Sequence, residues 1–145
     1  MISGTLFKFI FALFSLIIAL SDIKTGAVPR FVFIIAFPFF FVLSMFQPEP
    51  HPPWTAIAGA LAGLVIFLMA FLISGKKLGL ADVWYSALIG LVLGPWWWYA
   101  AIGGACVAGI FYILIFKKRR IPFIPFMALG SIAVSIIKNL SFFNS

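Results

Sequence analysis

Residues 54–74 read WTAIAGALAGLVIFLMAFLIS, an unbroken apolar stretch without one charged side chain. A helix that crosses a bilayer takes about 20 residues, and this stretch has that length. Both of its ends are punctuated. Upstream, residues 47–53 are Gln47-Pro48-Glu49-Pro50-His51-Pro52-Pro53, and their four prolines forbid a helix. Downstream, the charged turn Gly75-Lys76-Lys77-Leu78-Gly79-Leu80-Ala81-Asp82 separates it from the next apolar run.

The same alternation of apolar run and polar break extends in both directions. Toward the N-terminus lie residues 31–46, interrupted by Pro38, and residues 5–20. Toward the C-terminus lie a short run at 83–93, ended by Gly94-Pro95, and a run at 96–116 that opens on Trp96-Trp97-Trp98-Tyr99. That aromatic cluster suits a headgroup interface. After Lys117-Lys118-Arg119-Arg120 a last run covers 121–140 and opens with Pro122 and Pro125. Proline inside an apolar run predicts a kink at Pro38.

Composition agrees with this pattern. Of 145 residues, 65% are hydrophobic and only 9% charged, and mean hydropathy is +1.24. A soluble protein of this size cannot hide that much apolar surface, so soluble, disordered and fibrous classes are excluded. The fold expected is an all-α polytopic membrane protein, a bundle of about six transmembrane helices forming one domain over 1–145. Six spans use roughly 120 residues, which leaves no room for a separate soluble domain. Glycines four apart, Gly59/Gly63 and Gly90/Gly94, are expected to let helices approach closely.

The formal net charge of +7 is concentrated beside the apolar runs. The breaks after runs one, three and five hold Lys24, Arg30, Lys76, Lys77, Lys117, Lys118, Arg119 and Arg120, eight of the ten basic residues. The breaks after runs two and four hold none; Lys8 and Lys138 lie near the chain ends. By the positive-inside rule the basic loops face the cytoplasm and both termini lie outside. The basic charge is therefore read as a topology signal against anionic lipid, with no nucleic-acid partner. Residues 1–20 are read as a true first span: Lys8 is the first charge, and no small-x-small cleavage site ends the run. The one cysteine, Cys106, cannot build an internal disulfide or a cysteine zinc site.

Only three acidic side chains exist. Glu49 sits in the proline-rich outer loop, where solvation explains it. Asp22 and Asp82 each adjoin an apolar run and are placed in the cytoplasmic loops. A carboxylate near lipid is costly to keep, which marks both as candidate functional residues. Structural roles remain open: Asp82 as a cap on the fourth helix, and Asp22 in a surface pair with Lys24 or Arg30. Two carboxylates held close do not ionise together; one keeps its proton while the other acts as a base on water. Such a pair hydrolyses a peptide bond with no metal and no cofactor. No rival mechanism is visible: His51 is on the opposite face, and there is no phosphate-binding glycine loop or metal-ligand cluster.

Three elements in order resemble the type IV prepilin peptidase family, membrane aspartic proteases of the GxGD type. The first is Asp22-Ile23-Lys24-Thr25-Gly26-Ala27-Val28-Pro29. The second is Gly79-Leu80-Ala81-Asp82, followed by Gly90 and Gly94. The third is Ile121-Pro122-Phe123-Ile124-Pro125-Phe126. The resemblance implies that Asp22 and Asp82 are catalytic, with Gly79, Ala81 and Pro29 as supporting motif residues. It implies cleavage of the short basic leader from pilin-like precursors at the cytoplasmic face of the inner membrane, after a glycine at the junction with their apolar helix. Longer members carry a zinc-binding loop with four cysteines and also N-methylate the product; this chain lacks that loop and resembles a peptidase-only form. Ala81 stands where the family usually has its second glycine, which makes a positive φ harder there. Trp84 stands where lysine often follows the aspartate, and Arg30 where asparagine often follows the proline. The other reading of the sequence is a non-catalytic membrane component, either a pilin-binding relative or a small transporter subunit. Oligomeric state is not encoded in any of these features.

Overall fold

The computed structural model describes residues 4–25, 28–46, 52–73, 75, 79–117 and 124–143, with the side chains of 113 and 139–143 outside the described set. Among these residues there are six helices and no strand: α1 Gly4–Thr25, α2 Arg30–Met45, α3 Pro53–Ile73, α4 Leu80–Leu93, α5 Pro95–Phe116 and α6 Ile124–Phe143. Three of them, α1 from Thr5, α3 and α5, are long and apolar enough to cross a bilayer, whereas α2, α4 and α6 are shorter apolar helices. The chain is an all-α membrane protein. Its outer surface carries large apolar side chains such as Phe9, Ile34, Val65, Phe111 and Ile137, as a surface that faces lipid requires.

Helices α3 and α4, α5 and α6, and α1 and α6 run antiparallel, as their contacts show. Gly59 on α3 meets Gly90 on α4, while Gly63, one turn further along α3, meets Ser86, one turn earlier on α4. On α5 and α6, Tyr112 meets Phe126 edge-on while Ala101 lies against Gly130. Lys8, near the start of α1, lies in the field of Lys138, near the end of α6.

At the centre stands α4, which packs on α2, α3, α5 and α6. Nearly every residue from Asp82 to Leu93 is buried. A helix apolar all round is one enclosed on all sides, and α4 fits that rule. Its closest partner is α3. A side chain at Gly59 or Gly90 would run into the other glycine's backbone carbonyl, and one at Gly63 would come within 2.6 Å of the Ser86 oxygen. The backbones therefore touch, as small residues at helical spacing permit. The Trp98 indole of α5 ties the contact down, donating to the Ser86 hydroxyl at 3.0 Å and the Ser86 carbonyl at 3.1 Å. At the far end of α1, the rings of Phe7, Phe11 and Phe14 meet Phe40 of α2 edge-on.

Several expectations change in detail. Trp98 is 2% exposed, whereas Trp96 is 83% exposed. The aromatic cluster thus divides between a core anchor and a surface ring, because a helix turns neighbouring positions to different sides. Pro38 does not end its helix, since α2 continues through it to Met45, a continuity that a kink at the proline permits. The apolar pattern puts Asp22 in a loop, yet α1 continues past it to Thr25, whose hydroxyl donates to the Ser21 carbonyl. Asp82 likewise belongs to the first turn of α4 rather than to a loop. Glu49, His51, Lys76, Lys77, Arg119, Arg120 and Pro122 lie outside the described residues, as does Lys118.

Gly94 alone joins α4 to α5, at φ 83° and ψ 170°. Only glycine adopts that region readily. Gly94 therefore makes the turn, and its backbone, with that of Gly90, also lies against Gly59 of α3. A Cβ at Gly94 would meet nothing within 4 Å, so backbone strain is the whole effect of adding one. Gly94→Ala is expected to destabilise the protein by about 1–3 kcal/mol. Thermal unfolding in detergent checks this, and a Tm equal to the parent's would exclude the strain.

Candidate active site

The two buried carboxylates sit on different helices at one end of the bundle. Asp22 is in the last turn of α1 and Asp82 in the first turn of α4, and each is 8% exposed. The antiparallel course of the helices brings these ends together. The structure places Asp22 close enough to act electrostatically on Asp82. Lys24 and Arg30, the expected surface partners of Asp22, are exposed while Asp22 itself is buried.

Asp82 lies just ahead of the apolar run 83–93. Its carboxylate folds back and accepts a hydrogen bond from the Gly79 N–H. In return the Asp82 N–H donates to the Gly79 carbonyl at 3.1 Å. Asp82, at the third helical position, thus supplies one half of a capping box, and the Gly79 N-cap, which has no side chain, returns only a backbone bond. The cap reading of Asp82 is thus realised in part, through one carboxylate oxygen. Burial and the nearby Asp22 charge push its pKa up to about 7, against the pull of the Gly79 hydrogen bond.

The backbone expected at the Ala81 position is not the one the structure shows. Gly79 has φ −69° and ψ 139°, ordinary extended backbone. Ala81 is inside the helix, and Lys117 is the one non-glycine residue with positive φ among those described. Neither motif position needs left-handed backbone. Gly79 matters through space: a Cβ there would sit 3.1 Å from the Asp82 Oδ2. The absence of a side chain lets the carboxylate lie over the helix end. Ala81 therefore keeps the local geometry without a second glycine.

Beside Asp82 opens a cavity of about 190 Å³, lined by Val28, Arg30, Phe33, Gly79, Leu80, Ala81 and Trp84. Trp84 is braced edge-on by Phe37. The cavity is walled by apolar side chains and carries one guanidinium. Pro29 immediately precedes α2 as its N-cap, between the lining residues Val28 and Arg30. A second cavity, about 250 Å³, lies at the other end of α4 against Leu93, Gly94 and Trp96, remote from both acids. Among the described residues no group of three or more His, Cys, Asp or Glu side chains is placed to hold a metal ion.

Both carboxylates and the cavity fall within residues 9–114, which match the type IV leader peptidase family. The chain belongs to that family. It is also similar to the prepilin leader peptidase/N-methyltransferase of Bacillus subtilis (strain 168), with 30% identity over 125 residues, 81% of this chain and 50% of the relative. The chain thus spans about half the length of the curated relative it matches. No solved structure matches it.

Sequence reasoning did not single out Tyr85, Ser15 or Ser131, all fully buried. A signal was present: Tyr85 follows Asp82 by three positions, one helical turn, in a helix that is mostly apolar. Phe33 and Trp84 form the cavity wall only because α2 packs on α4, a pairing that their spacing in the chain does not reveal.

Proposed function

We propose that this chain is a membrane-embedded aspartic endopeptidase that removes the short basic leader from type IV pilin-like precursors. The observation that carries the reading is the pair Asp22 and Asp82, both buried, on separate helices yet within each other's field. In this reading Asp82, with its pKa raised to about 7, holds the proton and hydrogen-bonds the scissile carbonyl. Asp22 is ionised and takes a proton from water as the water oxygen attacks the carbonyl carbon. The tetrahedral adduct then collapses, the C–N bond breaks, and the amine leaves with a proton returned from the pair. The cavity beside Asp82 receives the substrate segment next to the cut.

The active end faces the cytoplasm of the inner membrane, where the basic breaks between helices meet anionic lipid, and both termini lie outside. All of 1–145 serves as one peptidase unit, without metal or cofactor. The deciding experiment is incubation of the purified protein, in lipid vesicles, with a precursor carrying a basic leader joined through glycine to an apolar helix. A single cut at that junction is expected. An intact precursor under all conditions would favour the non-catalytic reading.

The same assay reads the proton. An acid with a raised pKa keeps its proton up to that pH and loses it above. Cleavage should therefore be sustained up to about pH 7 and then fall, nearing tenfold for each further pH unit. A rate that keeps climbing through pH 9 would show that Asp82 does not serve as the acid.

A further inference from the structure

Helix α1 packs mainly on α6, with its Phe7, Phe11 and Phe14 rings on α2, and makes little direct contact with α4. Yet the proposed reaction needs Asp22 of α1 against Asp82 of α4. One polar feature bridges that gap. Ser15 of α1, Tyr85 of α4 and Ser131 of α6 are each completely buried, and the Tyr85 hydroxyl faces both serine hydroxyls. The Ser131 hydroxyl donates to the Ala128 carbonyl at 2.9 Å, so its oxygen is available to Tyr85 as an acceptor. The Ser15 and Tyr85 oxygens nevertheless complete no hydrogen bond among the described residues. Buried hydroxyls in that state are unfavourable, more so in a bundle surrounded by lipid. A small approach of α1 toward α4 would complete the bond and relieve them.

We propose that Tyr85 is a positioning residue whose hydroxyl, with Ser15 and Ser131, latches α1 onto α4 and so brings Asp22 up to Asp82. Tyr85 lies one helical turn from Asp82, and Ser15 lies two turns from Asp22. The latch is thus close enough to set the separation of the acids without touching the substrate. This inference rests on Asp22 and Asp82 acting as the catalytic pair.

The test separates the two ideas. In a Cys106→Ser background, Asp22→Cys with Asp82→Cys is treated with a short bis-thiol crosslinker, with and without Tyr85→Phe. Cleavage and its pH profile are measured on Tyr85→Phe with both aspartates intact. Crosslinking in the parent pair, reduced by Tyr85→Phe, is the expected result, together with cleavage slowed roughly tenfold. The alkaline limb of the pH profile should also move to lower pH, because an Asp82 further from the Asp22 charge loses its proton more readily. Mere loss of folded protein would lower the rate without moving that limb. Ser131→Ala, which keeps the tyrosine, should change cleavage and pH profile in the same direction by a smaller factor. If Tyr85→Phe crosslinks and cleaves as the parent does at every pH, the latch is refuted. If the parent cysteine pair fails to crosslink at all, the catalytic pair itself is refuted, and the latch with it.

Discussion

Asp82→Asn is expected to slow cleavage of a pilin-like precursor by about a thousandfold, and Asp22→Asn to do the same. Asparagine is nearly the same shape as aspartate but neither holds nor accepts the proton the reaction moves. The fold should survive both changes. In Asp82→Asn the new amide oxygen can still take the Gly79 N–H, so the cap on α4 persists. The two readings of Asp82 therefore part cleanly. A residue that serves only as a cap predicts a nearly silent substitution, whereas an acid–base pair predicts loss of activity in a stable protein. The double variant should be little worse than either single one, because the carboxylates act as a unit. Glu49→Gln, in the proline-rich segment, should cleave at the parent rate. Either aspartate variant cutting the precursor at near the parent rate would end the aspartic reading. The assay is single-turnover cleavage in vesicles, with circular dichroism and thermal unfolding as the check on folding.

Gly90→Ala carries the second large effect, this time on the scaffold. The added methyl would overlap the Gly59 backbone at the point where α3 and α4 touch. The obstacle is main chain, which no rotamer change removes, so the helices must separate. A loss of about 3 kcal/mol is expected, together with most of the cleavage activity, since α4 carries Asp82. Gly103→Ala on α5 is the matched control: a Cβ there meets nothing within 4 Å. Alanine is also the better helix former, so this variant should stay within about 0.5 kcal/mol of the parent. Equal Tm values for the two variants would mean that α3 and α4 do not meet backbone to backbone at Gly90.

Much of the architecture is legible residue by residue. Helices α1 to α6 follow the six apolar runs, and the breaks fall at prolines, glycines and charge clusters, where hydropathy and backbone chemistry are local properties. Errors gather at the ends. Asp22 reads as a loop residue because hydropathy drops after Leu20, whereas the helix continues as long as its backbone bonds do. Ala81 reads as a position where a positive φ is wanted, whereas it lies inside α4, and the glycine with a spatial role is Gly79, whose missing side chain leaves room for the Asp82 carboxylate.

Alone, then, the sequence determined the membrane class, the six helical segments, and the two acids at the edges of apolar runs. Each of these depends on the transfer of a residue, or a short run of residues, between water and lipid. The tertiary structure decided what lies between the helices: the enclosure of α4, the inward turn of Trp98, the Gly59–Gly90 contact, and the gathering of Ser15, Tyr85 and Ser131. The physical reason is that lipid is as apolar as the bundle interior. Hydropathy then no longer says which face of an apolar helix turns inward. That choice falls to shape and to a few buried polar groups, and both take effect only when helices distant in sequence meet.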